Sequence, residues 1–432
     1  MLKNKKITIQ LINAPQINVI DDRLEPPLGL MSIAANLNKN GYYNVSINDL
    51  CGTDLSTINI EYADIYGLTV YTPTINTVKE IARLCKQKNK NCKVICGGIH
   101  AMLMPDTLLK NNNIDCVVFG FGEEVIIDIV QDYPNIKNTY YGQITDYNKL
   151  PHPNRDLINL TSYSRVINGK PVASIQTTIG CPFNCSFCLE NKLCKKIISK
   201  SPENVLAEMS NIVWKYNLST FIFYDDVFTI NEKRLYKILD LIEPLQILFD
   251  FHGRANQTTY ENYIKIRRAG GFTARLGIES FSNKMLKLMN KKATAQDNLD
   301  TIKMAKDAGL LTRIFILFGF PGEDERTVDE TIAGIEKSDP DQLFLSTFIP
   351  YPGSDVWNNP EKYDITHFDK DYSKYCFASK NIKGFKVFST NNITNDKYFE
   401  LQNHITNYVY SRNFRGVVPK YHSKLIDNME PK

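Results

Sequence analysis

Thr177-Thr178-Ile179-Gly180-Cys181-Pro182-Phe183-Asn184-Cys185-Ser186-Phe187-Cys188 places three thiols on one short loop, with three residues and then two between them. Three thiolates bind only three irons of a cubane [4Fe-4S] cluster. The fourth iron then keeps an open position where a small molecule can bind and accept an electron. The spacing therefore predicts a reactive cluster held by Cys181, Cys185 and Cys188. Close cysteines also mark structural zinc, which wants four ligands in paired form; here no second pair sits nearby, and Cys194 is the only candidate fourth ligand within reach. Ten cysteines in 432 residues are too few for a cystine scaffold.

After the loop, short apolar runs alternate with amphipathic stretches of helical length. Strands are predicted over 172–177, 220–224, 248–252, 273–277, 312–317 and 343–348, and helices over 202–216, 231–241, 259–269, 295–308 and 325–337. The first helix has Ser201 as its cap and Pro202 at its first position, and the fourth is stopped by Gly309. Six alternations imply a six-unit parallel (β/α) barrel fragment, with chemistry gathered at the carboxyl ends of the strands.

The cysteine loop, with aromatic Phe187 just before its third cysteine, resembles that of the radical S-adenosylmethionine (SAM) superfamily. In that family the methionine amino and carboxylate groups of SAM chelate the open iron, and one electron cleaves the sulfonium to give a 5′-deoxyadenosyl radical. The resemblance implies ligand contacts at successive strand ends. Asp225 and Asp226 stand where the superfamily often has a Gly-Gly-Glu type segment for the ammonium, a departure in sequence. Arg254, Arg275 and Glu279 would meet the carboxylate and ribose, and Gly319, in Phe318-Gly319-Phe320-Pro321-Gly322-Glu323, would lie along the adenine. Plainer readings stand beside these: the aspartates as a helix cap, the glycines as tight turns.

The first 150 residues form a different unit. Strands are predicted over 7–12, 44–49, 65–68, 93–96 and 116–119, and helices over 29–38, 74–87, 106–112 and 123–130, the pattern of a doubly wound parallel sheet. Pro26-Pro27-Leu28-Gly29-Leu30, Gly41, Asp49, Thr69 to Pro73, Gly97-Gly98-Ile99-His100 and Gly120-Phe121-Gly122-Glu123-Glu124 resemble the cobalamin-binding domain that precedes many radical SAM enzymes. That resemblance implies cofactor contacts from Thr69, Gly97, Gly98, His100 and Glu123. The Asp-x-His-x-x-Gly segment of mutase-type domains is absent; the corresponding region reads Asn13-Ala14-Pro15-Gln16-Ile17-Asn18. Cobalamin is therefore expected base-off without a protein histidine on cobalt, as in class B radical methylases. His100 could be read as a cobalt ligand, but a loop histidine after two glycines more often hydrogen-bonds backbone or a cofactor amide.

The expected map is a cobalamin-binding-like domain over 1–132, a linker over 133–170, the partial barrel over 171–354 and a substrate-shaping segment over 355–432, with a helix over 400–410 covering the barrel mouth. Cys51, Cys85, Cys92, Cys96, Cys116 and Cys376 read as packed free thiols. Those N-terminal cysteines raise a rival, the transfer-RNA methylthiotransferases, which carry a second cluster on three N-terminal cysteines. The cobalamin-type motifs argue against it. So does the slight basic balance, 51 Lys plus Arg against 47 Asp plus Glu, which predicts no nucleic-acid partner. No apolar run approaches the roughly 18 residues that span a membrane, and the N-terminus reads as a strand rather than a signal segment, so a cytoplasmic protein is expected. The resulting expectation is a methyltransferase acting on an unactivated carbon or phosphorus of a small molecule, lipid or peptide, with flavodoxin or ferredoxin as electron donor. Cobalamin-dependent cyclisation or oxidation without methyl transfer, and a non-catalytic sensor, are the alternatives.

Overall fold

A computed structural model of the chain describes residues 6–194, 196–379, 385–412 and 414. It comprises two compact units: the chain up to Arg165 with Lys370–Tyr375, and Val166–Asp369 with the chain from Cys376 onward. Residues 380–384 and most of those after 412, all part of the expected substrate-shaping segment, lie outside the described residues.

The first unit is built from β1 (Ile9–Asn13), α1 (Leu28–Lys39), β2 (Val45–Asp49), β3 (Ile65–Thr69), α2 (Ile75–Lys88), β4 (Lys93–Gly97), α3 (Ile99–Leu103), α4 (Asp106–Leu109), β5 (Cys116–Gly120), α5 (Gly122–Asp132) and β6 (Thr139–Gly142). The sheet order is β2-β1-β3-β4-β5-β6, with every pair parallel. Leu30, Ala34 and Leu37 of α1 and Val125, Ile126 and Ile129 of α5 cover one face, while Ile75, Val78, Ile81 and Ala82 of α2 cover the other. Their three- and four-residue spacing is what makes each helix one-sided. The strand order reverses at β1, so the carboxyl ends of β1 and β3 flank the crevice where doubly wound sheets bind ligands.

β6 corrects the expected linker. Its four residues pair with β5, and a side chain on Gly142 would collide with the Phe121 carbonyl at 1.8 Å. In sequence this short edge strand, set between Pro134 and Pro151, has no period to distinguish it from a loop. The first unit thus runs to Arg165, well past residue 132.

The second unit contains six parallel strands in strictly sequential order, the layout of a partial (β/α) barrel. They are β7 (Ala173–Ile175), β8 (Thr220–Phe223), β9 (Leu248–Arg254), β10 (Gly271–Glu279), β11 (Leu311–Phe318) and β12 (Gln342–Thr347). The longer helices between them are α6 (Pro202–Tyr216), α7 (Glu232–Ile242), α8 (Tyr260–Arg268), α9 (Asn283–Leu288), α10 (Ala295–Asp307) and α11 (Glu325–Ser338). Strand alternation sorts the side chains. Phe221, Phe223, Phe249 and Phe251 are fully buried, with Phe251 against Tyr263 of α8, whereas Tyr224, His252, Phe315 and Phe344 are partly exposed and meet ring to ring across the other face. Ser201 caps α6 as its sequence predicts, accepting from the Asn204 amide.

The helix expected over 400–410 is α12 (Asn395–Ser411). It lies along α11, through Lys397 to Glu325 and His404 to Asp329, instead of covering the strand ends broadly; Tyr398 and Gln402 reach them at Gly319 and Thr347. Among the described residues no helix is long and apolar enough to cross a membrane.

Candidate functional site

The cysteine loop leaves β7 through Thr178 and Ile179, which pair antiparallel with Ser199 and Ile198. Its base is held by one carboxylate. Asp225, fully buried after β8, accepts from the Thr177 amide (2.6 Å), the Thr178 amide (3.0 Å) and the Thr177 hydroxyl. From α7, Arg234 donates to the Thr177 carbonyl (3.1 Å) and the Lys200 carbonyl (3.0 Å). Further along, the Ser186 amide donates to the Met289 carbonyl (2.9 Å), Asn290 Nδ2 to the Asn184 carbonyl (2.6 Å), and the Val356 amide to the Ser186 carbonyl (3.2 Å). Gly180 turns with φ of +95°, close against Cys194, whose thiol donates to the Lys196 carbonyl.

Asp225 was expected to meet a ligand's ammonium, and the structure corrects this: its oxygens serve the loop. Asp226 beside it is only partly buried, and its carboxyl is pushed up to about 7, first by burial, then by Glu190 and Asp225. Arg275 is likewise displaced from expectation. It sits mid-strand in β10, buried, with its guanidinium 5.6 Å from the Phe315 ring centre, four residues before Glu279 ends the strand. Glu279 takes a positive φ and pairs with the buried Lys291 at 2.9 Å; Lys291 also lies 6.0 Å from the Phe187 ring. Lys291 and Arg234 escaped the sequence reading because neither belongs to a spacing motif; only the folded chain brings them to the loop.

Cys185 is buried, while Cys181 and Cys188 are partly exposed. Burial pushes the Cys188 thiol up to about 12, with Glu190 and the other two cysteines adding to the shift; burial also raises Cys181, which Arg254 partly offsets. These are thiols that would surrender their protons to a metal on binding it. Among the described residues no three His, Cys, Asp or Glu side chains already stand in ligating arrangement, so the triad shares a loop without converging on one point. Arg254, at the end of β9, donates from Nη1 to Cys185 Sγ at 3.2 Å and stacks 4.1 Å from the Phe183 ring centre. Among the described residues its Nε and Nη2 are buried without a hydrogen-bond partner. A buried guanidinium donating to one of the three thiols suits an anionic thiolate-bound cluster. A partly exposed acid at the neighbouring strand end suits a zwitterionic ligand.

At the turn after β11, Gly319 has φ of +85° and donates to the Glu323 carboxylate. A side chain there would meet the Tyr398 hydroxyl at 2.4 Å. Burial pushes Glu323 up to about 8.

In the first unit, Thr69 ends β3, Gly97 ends β4, and Gly98 turns with φ of +99° so closely that a Cβ would lie 3.0 Å from the Val70 carbonyl. Glu123 stands in the first turn of α5, its carboxyl raised by burial. These four lie at the carboxyl edge of the sheet. His100 does not join them. It is fully buried, with Nδ1 3.3 Å from the Thr72 hydroxyl, Nε2 3.0 Å from the Thr107 hydroxyl, and its ring edge-on to Tyr372. Burial pushes it down to about 4, so it is a neutral core histidine rather than a cofactor contact.

Two family profiles match the chain: one described as Radical SAM superfamily over residues 175–334, the other as B12 binding domain over residues 23–130. An uncharacterized methyltransferase of Pyrococcus horikoshii is 31% identical over 361 residues, spanning 77% of this chain and 78% of the relative. The chain belongs to the radical SAM superfamily. This radical SAM enzyme carries a B12-binding domain ahead of its partial barrel, and its cofactors are a [4Fe-4S] cluster, SAM and cobalamin. An anaerobic magnesium-protoporphyrin IX monomethyl ester cyclase of Rubrivivax gelatinosus is 25% identical, over 83% of this chain and 70% of the relative. The radical SAM methyltransferase TsrM of Kitasatospora setae, solved with cobalamin and a [4Fe-4S] cluster, shares the fold with a TM-score of 0.64 at 16% identity, over 81% of this chain and 77% of that one.

Proposed function

We propose that this radical SAM enzyme transfers a methyl group from SAM, by way of cobalamin, to an unactivated carbon or phosphorus of a small molecule, lipid or peptide. The observation that carries the proposal is the joint presence, in one chain, of the three-cysteine loop at the mouth of the parallel sheet and the B12-binding unit, with a relative named as a methyltransferase. When bound, the cluster supplies the electron that cleaves SAM, and the cobalamin supplies a methyl carrier. The chain's own residues do the rest. Cys181, Cys185 and Cys188 hold the iron, and Asp225 and Arg234 fix the loop that presents them. Asp226 receives the ligand's ammonium, Lys291 and Glu279 close the strand end next to Phe187, and Gly319 gives the adenine a side-chain-free turn. Thr69, Gly97, Gly98 and Glu123 line the corrinoid edge. Flavodoxin or ferredoxin delivers the electron.

The test uses the anaerobically reconstituted chain with cobalamin, a reductant and SAM carrying an isotopically labelled methyl group. Label on cobalamin, together with 5′-deoxyadenosine formation, is the expected result. The cyclase relative favours a second reading, in which cobalamin carries no methyl. Steady 5′-deoxyadenosine formation with no label reaching cobalamin or product would replace methyl transfer with that chemistry. The methylthiotransferase reading is disfavoured by the B12-binding match over residues 23–130 and by the setting of the N-terminal cysteines: Cys85, Cys92 and Cys96 are packed in the apolar core on one face of the first sheet.

A further inference from the structure

We infer that Arg254 sets the reduction potential of the iron–sulfur cluster by acting through Cys185. It is a positioning residue, and the inference rests on the cluster reading of the three cysteines above.

Arg254 is 5% exposed at the carboxyl end of β9. Two contacts tie it to the cysteine loop: Nη1 to Cys185 Sγ at 3.2 Å, and the guanidinium 4.1 Å from the centre of Phe183, which lies between the first two cysteines. Cys185 Sγ stands here for the thiolate that would bind iron. The remaining donors, Nε and Nη2, are buried without a hydrogen-bond partner among the described residues. A guanidinium stays charged in proteins, and a buried charge is tolerated only beside a counter-charge. Three thiolates and their cluster are the anion nearest to hand.

The energetic consequence follows from charge. One electron passes from the external reductant to the cluster, with no bond broken and no proton moved, so the reduced cluster carries one more negative charge than the oxidised one. A fixed cation that donates to a ligating sulfur stabilises that reduced state more than the oxidised state. Hydrogen bonds to the sulfurs and local charge are the protein's means of raising such potentials. Phe183 supplies the rigidity, because a planar guanidinium stacked on a ring keeps its N–H directed at the sulfur. Lysine, a flexible point charge, can supply the charge but not the stacked fork.

The experiment is a potentiometric titration, followed by electron paramagnetic resonance, of the anaerobically reconstituted full chain. Wild type is compared with Arg254→Gln, Arg254→Lys and Phe183→Leu, and iron and sulfide are quantified in each. With iron content matching wild type, Arg254→Gln should move the midpoint to more negative potential, Arg254→Lys should fall between it and wild type, and Phe183→Leu should give a smaller shift of the same sign. An unmoved midpoint in Arg254→Gln, with a normal wild-type cluster, overturns this inference alone. Failure of both Arg254 variants to assemble a cluster also overturns it, by making Arg254 a requirement for assembly. Wild type that holds no iron overturns the proposed function, and this inference falls with it.

Discussion

Asp225 and His100 show how far one side chain's task depends on its neighbours. Asp225 follows β8 at a position suited to a ligand contact, yet its oxygens bond the Thr177 and Thr178 amides and the Thr177 hydroxyl. Asp225→Ala would leave two buried amides unpaired, each costing about 1–3 kcal/mol. Chemical denaturation of the full chain should register that loss, and reconstituted iron should fall with it because the cysteine loop is no longer anchored. Unchanged stability and iron content would remove Asp225 from this role. His100 predicts a pH dependence. Burial lowers its folded pKa to about 4, below the unfolded value near 6.5. The unfolded chain therefore gains a proton in this window and the native chain does not, so His100 erodes stability as pH falls from about 6.5 to about 4. His100→Gln keeps hydrogen-bonding atoms but cannot titrate. The variant should show a flatter stability profile than wild type across that window; parallel profiles would count against a buried neutral histidine.

At the scale of elements, the docking of α12 tests which contacts matter. Tyr398, Leu401 and Ile405 recur on one face and are all buried, whereas the ion pairs Lys397–Glu325 and His404–Asp329 are exposed. Burying an apolar side chain contributes about 1.5–3 kcal/mol, while exposed ion pairs contribute about 0–1 kcal/mol. Leu401→Ala should accordingly cost about 2–5 kcal/mol, and Lys397→Ala less than about 1 kcal/mol, in denaturant melts. A Lys397→Ala loss as large as that of Leu401→Ala would show that charge, not burial, seats the helix. Most elements were legible beforehand for the same reason that burial dominates: α6, α10 and α11 each carry a cap and a one-sided apolar stripe in the sequence itself. β6 was not legible, because a four-residue edge strand is defined by its partner β5 and has too few residues to display a period of its own.

For the whole molecule, two separately cored units predict separable cofactors. Cys181→Ala, Cys185→Ala and Cys188→Ala should each lose cluster iron and 5′-deoxyadenosine formation, while added cobalamin is retained, as read by absorption spectra after desalting. Loss of cobalamin along with iron would mean the two sites fold as one. What the sequence by itself determined was the fold class and the three-thiol cluster loop, because both are written in local terms, thiol spacing along one loop and apolar periods of two and of 3.6; SAM and cobalamin followed from the resemblance of its motifs to known families. The allocation of roles among polar residues was decided only by the tertiary structure. Asp225 became an anchor, His100 a core histidine, and Lys291 and Arg254 neighbours of the cysteine loop, since hydrogen bonds and burial depend on which distant segments meet. Spacing along the chain does not encode those meetings; for Asp225 and Arg254 it is the pairing of β7 with β8, and of β8 with β9, that brings them to the cysteine loop.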